Sequence, residues 1–182
     1  RKPETGAYAL ATAMQLWLWT LQYLQQAKDA EETKLYSSNR QGVSFTLADA
    51  LCWLLASHCQ LMDVLELEAR GPQNPVVAEG LAGTLGFLTD LGHVQVARAA
   101  GEVGRICAEL IFGYRRPPWD DEADPEGPPA QAEPGATADE LADFVRLRTR
   151  LDACLAGSRL AKDRAAVALA RVMIPEVADY PA

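Results

Sequence analysis

Apolar residues recur along this chain at spacings of three and four, the period of helices with one covered side. From Gly6 to about Tyr36 the repeat runs through Leu10, Met14, Trp17, Leu21 and Leu24, predicting a long first helix. Trp19 and Tyr23 fall on a different side of it, so this helix meets two neighbours, or one neighbour and a partner protein. The two aromatics are accordingly candidate interface residues. After a turn over residues 37–45, with Asn39, Gly42 and Ser44, a second helix is expected antiparallel to the first.

That second helix, Thr46 to Arg70, is the stretch around which the chain is expected to be organised. Thr46 is placed to cap it, with Asp49 three residues on, and Gly71 and Pro72 are placed to stop it. At 1.5 Å per residue it is about 36 Å long. Leu47, Leu51, Leu54, Leu55, Cys59, Met62, Val64 and Leu65 spread over more than half its circumference, leaving Ser57, Gln60, Asp63 and Arg70 as a narrow polar remainder. A helix so apolar should be covered by others.

A third helix is expected from Asn74 as cap and Pro75 as first residue, reaching Phe112 as one kinked helix or two shorter ones. Gly80, Gly83 and Gly86 recur along it, each costing up to ~1 kcal/mol against alanine. The expected compensation is close approach of the second helix to that glycine face. From Pro117 to Ala136 the chain changes character, with six of its eleven prolines and no Lys or Arg. This reads as an exposed acidic crossover, residues 117–136, with Trp119 as its one anchor and a third interface candidate. Thr137 and Glu140 then open a fourth helix, through Leu141, Phe144, Leu151, Leu155, Ala165 and Leu169 to Pro175. The sum is one all-α domain over residues 1–182, an antiparallel bundle of four long helices, or five if the third is split.

Charge changes this picture little. The net −8 becomes −2 once Asp120, Asp121, Glu122, Asp124, Glu126 and Glu133 of the crossover are set aside, leaving 19 acids against 17 bases. A nearly neutral body lacks the basic surface that nucleic acid requires. The apolar run near Met14 to Leu24 is broken by Gln15, Thr20 and Gln22, so no membrane span is expected. Cys52 and Cys59 lie about 10 Å apart on one helix, too far for a disulfide. With Cys107 and Cys154 they read as small core residues of a reducing, cytoplasmic protein. The chain opens on Arg1 without a signal pattern, which reads as a segment of something longer.

Candidate chemistry is sparse. Of two histidines, only His93 has a carboxylate at metal-site spacing, Asp90, whereas di-metal bundles need such a pair on two helices. No metal site is therefore assigned. The glycines of the third helix follow an asparagine and a proline rather than a strand, and lack the Lys-Ser/Thr of a phosphate loop. A small-ligand site lined by those glycines and Trp53 is the one pocket reading the pattern leaves open.

The stretches VSFTLADALCWLLASHCQLMDVLELE and GPQNPVV, with the closing LAKDRAAVALARVMIPEVADYPA, resemble the C-terminal helical portion of bacterial acyl-CoA dehydrogenase-like proteins. The resemblance covers mainly residues 43–77 and 160–182. It implies a parent enzyme that binds FAD between an N-terminal helical domain, a β-domain and a helical bundle, and removes the α-proton of an acyl-CoA with a glutamate. This chain contains no β-domain and no glutamate matching that base, so no catalytic or cofactor-binding residue is carried over. The implied role is a non-catalytic C-terminal domain, holding no cofactor itself, that packs on the flavoenzyme body or on a second copy. The alternative is an independent helical interaction domain without flavin chemistry.

Overall fold

The computed structural model describes residues 3–29, 32–114 and 138–173. Its helices are α1 (Ala7–Gln26), α2 (Gln41–Arg70), a single turn α3 (Pro75–Ala78), α4 (Leu81–Phe112), α5 (Ala138–Ala153) and α6 (Ser158–Met173). The described residues contain no strand beyond one isolated bridge between Lys28 and Lys34. The predicted all-α bundle is the observed fold, with boundaries that differ in instructive ways. The acidic crossover and Trp119 lie outside the described residues.

The first helix stops at Gln26, ten residues short of expectation, because local polar groups give the backbone another partner. The Asp29 carboxylate accepts from the Thr33 N–H at 2.9 Å, and the Leu35 and Tyr36 amides donate to the carbonyls of Ala27 and Leu24. The second helix begins earlier, at Gln41, so Thr46 is interior and its hydroxyl donates back to the Gly42 carbonyl instead of capping. Asn74 does cap as expected, accepting from the Val76 amide at 3.0 Å, but only the single turn α3 follows before α4 starts at Leu81. Beyond that break the third helix is continuous to Phe112. The fourth helix is the one that divides, at Gly157, whose φ of +82° lies in the left-handed region that favours glycine.

The hub is α4 rather than α2: α1, α2, α5 and α6 all pack against it, as does the Pro3–Thr5 turn. The Trp17 indole N–H donates to the Leu47 carbonyl at 3.0 Å, and the Leu24 carbonyl accepts from Tyr36 at the start of the return, so α1 and α2 run antiparallel. Gly71 faces the Leu81 side chain, and the Arg98 guanidinium lies 5.4 Å from the Trp53 ring, which sets α2 and α4 antiparallel as well. Leu10, Leu16, Leu24, Leu47, Leu54, Val96, Val103, Leu110, Ile111, Phe144 and Leu151 form the common core.

Close helix approach occurs at glycines other than those expected. No described atom lies within 4 Å of a Cβ built on Gly80, Gly83 or Gly86, so α2 does not come near through them. A Cβ at Gly104 would sit 2.9 Å from the Arg148 guanidinium and 3.3 Å from Leu151, because α5 crosses α4 there. Gly6, at φ +81°, would place a Cβ 3.1 Å from that of Val96.

Candidate interaction surface

The expectation that other helices cover α2 over more than half its circumference is overturned. Its buried residues are Val43, Leu47, Ala50, Leu54, Ser57, Leu61 and Val64, a single stripe turned towards α4 and α1. Ser57 belonged to the expected polar remainder, yet it is fully buried. Its hydroxyl donates to the Trp53 carbonyl one turn back at 2.9 Å, which satisfies that buried hydroxyl's hydrogen. On the opposite side Phe45, Leu55 and Met62 are 63%, 51% and 52% exposed. Ala48, Cys52 and Cys59 between them are exposed too. The helix is apolar over more surface than the described residues supply neighbours for.

The four cysteines therefore divide. Cys107 is buried, and burial pushes its thiol up to about 11, opposed in part by a hydrogen bond with Thr20 and by the charge of Arg148. Cys154 is half-buried, near the Thr12 hydroxyl at 3.9 Å. Cys52 and Cys59 are not core residues. All four are free thiols.

Trp19 and Tyr23 stack on each other with ring centroids 5.4 Å apart, and Trp19 meets Phe144 of α5 at 5.7 Å. They are half-buried against α5, one of the three helices, with α2 and α4, that pack on α1. The larger uncovered apolar surface is on α2, and its signal was present in the sequence as apolar residues more numerous than one face can hold. Arg148 pairs within its own helix with Asp152 at 3.3 Å, whereas Arg164 of α6 reaches Asp90 of α4. That bond raises the Arg164 pKa and occupies the carboxylate beside His93.

Among the described residues no group of three or more His, Cys, Asp or Glu is gathered to hold a metal ion. A hollow of about 350 Å³ at the end of α2 is lined by Asp63, Glu66, Leu67, Arg70, Asn74 and Val77. It includes neither Trp53 nor the α4 glycines, and Arg70 is already paired with Glu66 at 2.6 Å. By length and composition Gln41–Gln73 is long and apolar enough to cross a bilayer, a property that core helices of soluble bundles share. Comparison with known protein families, with curated proteins and with solved structures finds no match to this chain. The resemblance to acyl-CoA dehydrogenases therefore rests on the quoted stretches alone.

Proposed function

We propose that this chain is a helical interaction domain whose working surface is the outer side of α2. The observation that carries this reading is the row of uncovered apolar residues from Phe45 to Met62, held on a helix that α4 and α1 make rigid from behind. Folded monomers rarely leave so continuous an apolar surface in water without a use for it, and a regular helix offers a partner helix matching ridges and grooves.

One context for such a domain is the C-terminal end of an acyl-CoA dehydrogenase-like flavoenzyme, packed on the enzyme body or joining two bodies. FAD and the catalytic glutamate would belong to that body. The second context is an independent interaction domain. Four free thiols favour a reducing, cytoplasmic setting for either.

A photo-activated cross-linking side chain placed at Leu55, in the full-length protein in its own cell, tests the surface. A discrete adduct is expected from position 55 and none from Arg105, an exposed position on α4. Absence of any adduct at 55, with α2 intact by circular dichroism, would sink the docking reading. The mass and colour of the native protein decide between the two contexts.

A further inference from the structure

We infer that the outer face of α2 is filled by the same face of a second copy, as a parallel, in-register pair of α2 helices. The inference rests on reading that face as a docking surface, and adds its occupant, direction and register. Phe45, Cys52 and Cys59 recur every seven residues, and Ala48, Leu55 and Met62 follow each of them by three. Alternating steps of three and four are the spacing that lets two helices wrap around one seam. Between Phe45 and Met62 every seam position is uncharged and exposed. The buried residues Val43, Leu47, Ala50, Leu54, Leu61 and Val64 fall on the far side of the helix. Pairing therefore leaves the packing on α4 undisturbed, and the helix is already ordered before it meets its partner.

The charges beside the seam choose the occupant. At about 100° per residue, one edge carries Ser44, Leu51, His58 and Leu65, and the other Asp49, Ala56, Asp63 and Arg70. In a parallel pair each edge meets the opposite edge of its partner five residues on. Ser44 then faces Asp49 of the partner subunit, and His58 faces Asp63 of the partner subunit. Leu51 and Leu65 face Ala56 of the partner subunit and Arg70 of the partner subunit. Asp49 then meets an uncharged neighbour and Asp63 an imidazole, and acid does not meet acid along these edges. Glu66 is the first charged seam position, held by its own Arg70, so the seam ends at Met62. The comparable stripe on α6, with Leu160 and Val167 exposed, has Asp163 between them and would bury a carboxylate against the uncharged seam of α2.

The test uses the whole chain. Sedimentation at micromolar concentration should show a dimer, and Leu55→Glu should weaken it by about tenfold or more while helix content is unchanged. Phe45→Ser, at a still more exposed position, serves as the second seam variant. Copper-phenanthroline in air, with oxygen taking two electrons and two protons from each thiol pair, should join Cys52 to Cys52 of the partner subunit. It should also join Cys59 to Cys59 of the partner subunit, with each bond surviving replacement of the other cysteine by serine. A dimer dissolved by Leu55→Glu that yields only Cys52-to-Cys59 links overturns the parallel register and leaves the docking reading standing. A monomer overturns the second-copy inference, and the photo-cross-link then decides the docking reading separately. A dimer indifferent to both seam variants overturns both. Pelleting of the monomer with phosphatidylcholine vesicles, lost in Leu55→Glu, overturns the inference in favour of a bilayer.

Discussion

The two longest helices, α2 with 30 residues and α4 with 32, have similar length and apolar content but different surroundings. Four helices pack on α4, which buries ten residues spread from Gly92 to Ile111. α2 is held by α4 and α1 and buries seven, all on one stripe, although its sequence offers apolar residues for a second. Apolar excess in a helix therefore measures how many neighbours it wants, and the described residues supply only some of them.

The sharpest test of that contrast is a pair of adjacent leucines. Leu54 is 1% exposed and Leu55 is 51% exposed. Leu54→Ala should cost ~2–5 kcal/mol through lost burial and a residual cavity. Leu55→Ala should stay within ~1 kcal/mol when measured on monomer. Urea unfolding of both at low protein concentration makes the comparison, and equal losses would mean that the outer face is covered within the chain.

Cysteine titration is the next largest effect. The Cys107 thiol, held at about 11 against an ordinary value of 9.0, keeps its proton in the fold after the unfolded chain has lost it. Stability should be unaffected by this group below pH 9 and fall as pH rises to 11, by ~2–3 kcal/mol. Cys107→Ala should flatten that decline. A slope retained in Cys107→Ala would assign the decline to other groups.

Glycines give a contrast of sign. Gly6→Ala forces a left-handed backbone on a residue with a Cβ and crowds Val96, and should cost ~1–2 kcal/mol. Gly83→Ala, in open space inside a helix, should stabilise by up to ~1 kcal/mol. Thermal unfolding of the two variants should move in opposite directions. Loss of stability in Gly83→Ala would restore the close-packed glycine face that the sequence predicts. Smallest of all, Arg164→Ala should leave the unfolding midpoint nearly unchanged, because the pair with Asp90 is solvent-screened on the arginine side. A larger loss would show that this one bond holds α6 on α4.

Helix existence was legible because periodicity and caps such as Asn74 are local properties. Much of the rest depended on which neighbours arrive. Ser57 looked like solvent-facing polarity because its spacing cannot show a hydroxyl folding back on the Trp53 carbonyl. Gly157 sat inside an apparently continuous repeat, and only its left-handed backbone reveals the stop. Gly83 and Gly104 look alike as residues, and only the path of α5 distinguishes them. The outer row on α2 was visible as excess apolarity, but the sequence could not say which side of the helix would remain bare.

One bond described earlier turns this architecture into a clock. The Trp17 indole proton is held by the Leu47 carbonyl at the seam between α1 and α2, and its replacement by deuterium requires those helices to part. In heavy water that single proton resonance should outlast the indole signals of tryptophans without such an acceptor. Its decay rate would report how often the α1–α2 hairpin opens, without unfolding the bundle or labelling it.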